Sequence, residues 1–171
     1  MLMAVFCLGA SLIGINAQEK DWANLQRYAQ QNAELPKPDK NEKRVVFMGN
    51  SITEGWVNTH PDFFKSNGYI GRGIGGQTSY QFLVRFREDV INLSPALVVI
   101  NAATNDIAEN TGAYHEDRTF GNIVSMVELA KANHIKVILT TTLPAAAFGW
   151  NPALKDAPQK IASLNARLKA Y

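Results

Sequence analysis

The chain opens on a run of apolar and small residues, Leu2 to Ile15, and then turns polar at Gln18 to Asp21. The run is too short to span a bilayer but suits the apolar region of a signal peptide, and Ile15-Asn16-Ala17 ends in the small residue that signal cleavage favours. Residues 1–17 are therefore expected to be a leader, and the protein to be exported. Beyond it, Trp22, Leu25, Tyr28 and Ala29 recur at helical spacing, which predicts an amphipathic helix over Asp21 to Leu35. Pro36 and Pro38 end it, and residues 39–43 read as a polar connector, so that 18–43 form a helix and linker. Arg44 to Met48 is a β-branched apolar burst typical of a buried strand. A second, short strand is expected at Tyr69 and Ile70, leading into the glycine-rich stretch Gly71 to Gly76.

The alternation continues. Gln81 to Leu93 predicts a helix with Phe82, Leu83, Phe86, Val90 and Ile91 inward, ended by Pro95. Ala96 to Ala102 predicts a central strand, Phe120 to Asn133 a helix, Lys136 to Thr142 a fourth strand and Ala157 to Tyr171 a last helix. Strands alternating with helices imply an α/β domain, here residues 44–171, with a parallel sheet covered on both faces. After the last helix, a right-handed crossover should deliver another parallel strand. The domain is thus expected to be cut short before its last strand, leaving an open sheet edge and a poorly soluble fragment.

Composition narrows the function. Hydrophobic residues make up 46% and charged residues 19%, as in an ordinary globular domain. The formal net charge is +2 with Lys and Arg scattered, so no basic stripe suggests a nucleic-acid partner. The single cysteine, Cys7, lies in the expected leader. A mature chain without thiols excludes disulfides, a cysteine nucleophile and a cysteine-based zinc site. No stable membrane span and no metal or organic cofactor are expected.

Ligands of open α/β sheets bind beyond the carboxyl ends of the strands. Three unusual segments fall there: Gly49-Asn50-Ser51-Ile52-Thr53, Gly73-Ile74-Gly75-Gly76-Gln77 and Ala103-Thr104-Asn105-Asp106. A hydroxyl, a glycine-rich turn and an amide converging on one crevice are the parts of an acyl-transfer site. Taken singly, Ser51 could be the N-cap of a short helix Ile52 to Val57, the glycines an ordinary turn and Asn105 an Asx-turn.

These segments resemble the blocks of the SGNH, or GDSL-type, hydrolases, over about residues 44 to 171. Val46 to Gly55 resembles the first block, with Ser51 at the nucleophile's position. Arg72 to Thr78 resembles the second, with Gly76 offering a backbone N–H to an oxyanion. Asn101 to Asp106 resembles the third, with Asn105 supplying a side-chain donor. The resemblance implies a three-layer α/β/α, flavodoxin-like fold and a serine esterase. Three departures stand out. Asn50 replaces the usual aspartate, Ala103 replaces a usual glycine, and the final Asp-x-x-His block has no counterpart. His60, His115 and His134 are preceded at three residues by Val57, Gly112 and Lys131. His60 is expected in a loop after the nucleophile helix, His115 with Glu116 and Asp117 in a solvated loop, and His134 near a helix C-terminus.

The resemblance therefore implies that the catalytic Asp and His lie outside these 171 residues, and that the chain alone is nearly inactive, since losing the base costs roughly 10⁴- to 10⁶-fold. The expected substrate is an extracellular carbohydrate or lipid carrying a small acyl ester, such as acetyl. Phe148 and Trp150 are candidates to stack on a sugar. Two rival readings remain: a catalytically dead binding module on the same fold, and a nucleotide-binding oxidoreductase suggested by Gly71-x-Gly73-x-x-Gly76.

Overall fold

The structure, a computed structural model, describes residues 21–171. The leader expected over residues 1–17, with Cys7, lies outside the described residues. Four parallel strands form one sheet: β1 Val45–Gly49, β2 Tyr69–Gly73, β3 Leu97–Asn101 and β4 Lys136–Leu139. Their order is β2-β1-β3-β4. Gly49 pairs with Gly73 on one side and with Asn101 on the other, so β1, β2 and β3 end level. The chain leaves β1 for β2 and then returns across β1 to reach β3. That reversal opens a crevice between the exits of β1 and β3, where open α/β sheets place their ligands.

The helices are α1 Ala29–Glu34, α2 Ser51–Thr59, α3 Pro61–Ser66, α4 Ser79–Asp89, α5 Thr104–Ile107, α6 Glu116–Ala132 and α7 Ala157–Ala170. Side chains alternate across a strand, so Val46, Met48, Val98 and Ile100 share one face. All four are buried, together with Phe82 and Phe86 of α4, Ile123 and Met126 of α6, and Ile161 and Leu164 of α7. On the other face Phe47 packs against Trp56 of α2 and Phe64 of α3, with ring centroids 5.5 and 5.3 Å apart. That cover stops short of β4, where Ile138 stays 49% exposed.

The strands follow the hydrophobic bursts closely, but several helices differ from expectation. Asp21 to Leu35 is not one amphipathic helix. The Asp21 carboxylate accepts the N–H groups of Leu25 and Gln26, at 2.8 and 3.0 Å, and Asn24 turns left-handed at φ 54°. A single 3₁₀ turn, Leu25–Arg27, precedes the short α1, and Trp22 faces outward. The expected helix 81–93 is α4, begun two residues earlier, followed by a separate 3₁₀ turn Ile91–Leu93. Strand β4 ends at Leu139, before Thr140 to Thr142.

The fourth difference concerns His115, Glu116 and Asp117, which open α6 rather than forming a solvated loop. Two carboxylates in a first turn are favoured by the partial positive charge of a helix N-terminus. Arg167 of α7 bridges both, at 3.2 and 2.8 Å. Helices α3 and α5 escaped the pattern because they are too short to display a period.

Candidate active site

Ser51 is the first residue of α2, and Asn50 is its N-cap: Asn50 Oδ1 accepts the Ile52 N–H at 3.0 Å. The capping role that Ser51 could have filled is thus taken by its neighbour. The Ser51 side chain is exposed, and its hydroxyl has no hydrogen-bond partner among the described residues.

The turn after β2 lies against the same helix end. Gly73 carries no Cβ because one would meet the backbone N of Glu54 at 2.3 Å and the Asn50 carbonyl at 2.8 Å. This close approach brings the turn to α2. A Cβ on Gly75 would lie 3.8 Å from Ser51 Cβ. Gly76 is left-handed, φ 75°, and its carbonyl accepts from Asn110 Nδ2 at 3.0 Å. The Gly75 N–H donates to Glu54 Oε2 at 2.8 Å, whereas the Gly76 N–H has no partner among the described residues.

The third segment begins with a strained residue. Ala103 has φ 81° and ψ −19°, a left-handed conformation that costs a residue bearing a Cβ roughly 1–2 kcal/mol. The chain then enters α5, so Asn105 sits in a helical turn rather than an Asx-turn. Asn105 is buried, and its Nδ2 donates to the Gln77 carbonyl at 2.9 Å, tying the third segment to the second. An amide nitrogen carries two protons, which leaves one N–H of Asn105 for a ligand. Ser51 and the Gly75–Gly76 turn are therefore side by side, with Asn105 fastened to the residue after the turn.

A polar network beneath the crevice was not anticipated. Arg85 is fully buried and pairs with Asp89 at 2.7 Å. It also donates to Gln77 Oε1, the Gly49 carbonyl and the Arg72 carbonyl at 2.7, 3.1 and 2.9 Å. One guanidinium thus holds the exits of β1 and β2 and the end of the second segment. The signal for it was a charge at the inward spacing of Phe82 and Phe86, with an acid four residues later. Asp106 is another buried carboxyl. It accepts the Ser79 N–H at 2.9 Å, the Ser79 hydroxyl through a short bond, and the Thr119 hydroxyl at 3.3 Å. Burial pushes its carboxyl above the usual range, against the hydrogen bonds from Ser79 and Thr119 that pull it down.

The segment before β1 also reaches this region. The Tyr28 hydroxyl donates to the Gly73 carbonyl, and Gln77 Nε2 donates to the Ala23 carbonyl at 2.7 Å. Burial raises the Tyr28 phenol, so it stays protonated as the donor this bond requires.

None of the three histidines stands beside Ser51. His60 lies between α2 and α3, at the end of α2 away from Ser51, with Nδ1 2.9 Å from the Thr59 hydroxyl. His115 precedes α6 and, with Asp106, Tyr114 and Thr119, lines a separate cavity of about 260 Å³. His134 follows α6 in a left-handed conformation, next to the start of β4. Among the described residues no group of three or more His, Cys, Asp or Glu side chains is placed to hold a metal ion. No helix among them is long and apolar enough to cross a membrane.

The dinucleotide reading meets a physical obstacle. A pyrophosphate would need the free N–H groups at the start of the helix after the glycines. In α4 the Asp106 carboxylate already occupies that position.

Residues 47–171 match the model of the GDSL-like lipase/acylhydrolase family, which takes in all three segments and most of the chain. The chain belongs to this family. Among solved members, a candidate acylhydrolase from Bacteroides fragilis is 99% identical, with a TM-score of 0.89 over 90% of this chain and 74% of its own. A GDSL-like lipase from Bacteroides thetaiotaomicron is 78% identical, with a TM-score of 0.86 over 87% of this chain and 73% of its own. A Bacillus subtilis protein called the uncharacterized lipoprotein YqeF is 32% identical over 117 residues. That match takes in 58% of this chain, and the chain spans only 48% of the length of this curated relative. A four-stranded parallel sheet between helices is thus the shared frame of the GDSL-like members and of this chain.

Proposed function

We propose that this chain is the nucleophile-bearing part of an exported serine ester hydrolase. Ser51 Oγ attacks the ester carbonyl, and the N–H groups of Ser51 and Gly76 with the Asn105 amide bind the oxyanion. A histidine outside the 171 residues accepts the serine proton, oriented by an aspartate three residues before it, and returns it to the leaving alcohol. Water then attacks the acyl-enzyme through the same base, releasing the acid and restoring Ser51. The observation that carries this reading is the exposed Ser51 hydroxyl at the sheet's reversal point, beside a turn with a Gly76 N–H, both without a partner among the described residues. Assigning the base elsewhere rests on the positions of His60, His115 and His134. The Bacteroides fragilis relative, of which the match covers 74%, leaves room for it.

For the substrate we favour a small acyl ester, such as acetate, on an extracellular carbohydrate. Trp150 supports this choice. Its indole is 61% exposed, yet its Nε1–H is fixed to Asn110 Oδ1 at 2.9 Å, and the same Asn110 amide holds the Gly76 carbonyl. A flat apolar face tied through Asn110 to the Gly76 turn suits a sugar ring. Export rests on the leader read in residues 1–17 and on the lipoprotein name of the Bacillus relative.

The test is fluorophosphonate labelling and p-nitrophenyl acetate hydrolysis by the natural gene product containing these residues, with and without Ser51→Ala. Labelling that vanishes with Ser51→Ala is expected. An unlabelled wild type that binds acetylated glycan without turnover would instead establish the binding-module reading.

A further inference from the structure

Glu54 lies one helical turn after Ser51 on α2, and the acyl-transfer steps above make no use of it. An acid in the first turn of a helix ordinarily needs no explanation beyond the helix dipole. This one reaches across to another segment. Its Oε2 accepts the Gly75 N–H at 2.8 Å, while its Oε1 is 3.3 Å from Arg27 Nη2. The carboxylate, the turn and the nucleophile form one contact group: a Cβ on Gly75 would lie 3.1 Å from Glu54 Oε2 and 3.8 Å from Ser51 Cβ.

We propose that Glu54 is a positioning residue that fixes the Gly75–Gly76 turn so that the Gly76 N–H is presented to the oxyanion. The proposal rests on the role given to Gly76 above. Two adjacent glycines are the least restrained backbone in the site, and ordering them costs conformational entropy. An untethered turn would meet that cost in every catalytic cycle. Here it is held from both sides of the free N–H. Glu54 takes the donor before it, and Asn110 gives a proton to the carbonyl after it. Because Glu54 and Ser51 ride on the same rigid helix, the nucleophile and the oxyanion donor are referenced to one element. A bare carboxylate near a developing oxyanion would oppose its charge. The Arg27 guanidinium, 3.3 Å from Glu54 Oε1, offsets that field.

The test compares Glu54→Ala, Glu54→Asp and Glu54→Gln in the natural gene product, measuring kcat and KM on p-nitrophenyl acetate, fluorophosphonate labelling rate and Tm. Glu54→Ala removes the acceptor, and Glu54→Asp draws it back by one methylene. Both are expected to lower kcat and the labelling rate about 10- to 100-fold, with KM changed less than about twofold. Glu54→Gln keeps an acceptor and should recover most of the loss. The proposal is overturned if Glu54→Ala keeps kcat within about twofold, if Gln is as poor as Ala, or if the loss appears in KM alone. Should Glu54→Ala fail to fold, the Asp and Gln variants decide. Full activity in Ser51→Ala would instead remove the acyl-enzyme reading, whatever Glu54 does.

Discussion

The exits of β1 and β3 face each other across the crevice, and they are held in opposite ways. At the β1 exit the backbone is relaxed and is held on both sides of Ser51. Asn50 caps α2, and Arg85 anchors the Gly49 carbonyl from below. At the β3 exit the chain is bent through the left-handed Ala103, and the segment after it is pinned by the buried Asn105 and Asp106. The first is a rigid platform that leaves one hydroxyl free. The second is a strained hinge whose position depends on what holds it down. A side chain at a strand exit can thus be placed either by holding the relaxed chain around it or by bending the chain and tying it down.

The largest effect should come from the platform's free hydroxyl. Ser51→Ala is expected to lower kcat about 10⁶-fold while leaving Tm unchanged, since that hydroxyl bonds to nothing among the described residues. Next is the platform's anchor. Arg85→Met leaves Asp89 buried without its partner and should cost about 3–5 kcal/mol of stability, read from urea denaturation. Asn105→Ala probes the hinge. It should lower kcat by about 10²- to 10³-fold through loss of an oxyanion donor, with only about 1 kcal/mol lost from the bond to Gln77.

Asp106 gives the hinge a pH dependence. Its folded pKa is raised above the ordinary 3.8 of an aspartate, so folding favours the protonated acid. Its contribution is fully present below 3.8 and declines as pH rises through the raised folded value. Subtracting the pH–stability curve of Asp106→Asn from that of wild type should isolate this downward slope. A flat difference across pH 4 to 7 would mean that burial does not dominate its environment. The smallest effect is at Ala103: Ala103→Gly relieves the left-handed strain and should stabilise the protein by about 1 kcal/mol. If instead it destabilises, the hinge is not strained and the contrast between the two exits disappears.

The strands, their order of use and the positions of Ser51, Gly76 and Asn105 at strand ends could all be read from the chain. Their signals are local: a β-branched burst and a break after it. The boundaries of α4 and α6 could not be read, because polar residues at Ser79 and at Glu116 and Asp117 start these helices through contacts with Asp106 and Arg167. The region before β1 looked like an amphipathic helix, yet its polar groups are used instead to hold the Gly73 and Gln77 segment. Arg85 carries only the weak signal of its inward spacing, and Asp106 resembles a surface charge in sequence. Only their burial makes them structural.

By itself the sequence determined the parallel α/β frame and brought a hydroxyl, a glycine turn and an amide to the ends of its strands. Hydrophobic period and strand-end position are properties of the chain's own order. Tertiary structure decided which groups remain free. Asn50 takes the capping role and leaves Ser51 its hydroxyl, Glu54 takes the Gly75 N–H and leaves that of Gly76, and Asp106 fills the start of α4 and bars a pyrophosphate. Each of those outcomes depends on which donor reaches which acceptor in space, and most of these partners come from separate segments that only the folded sheet brings within hydrogen-bonding distance.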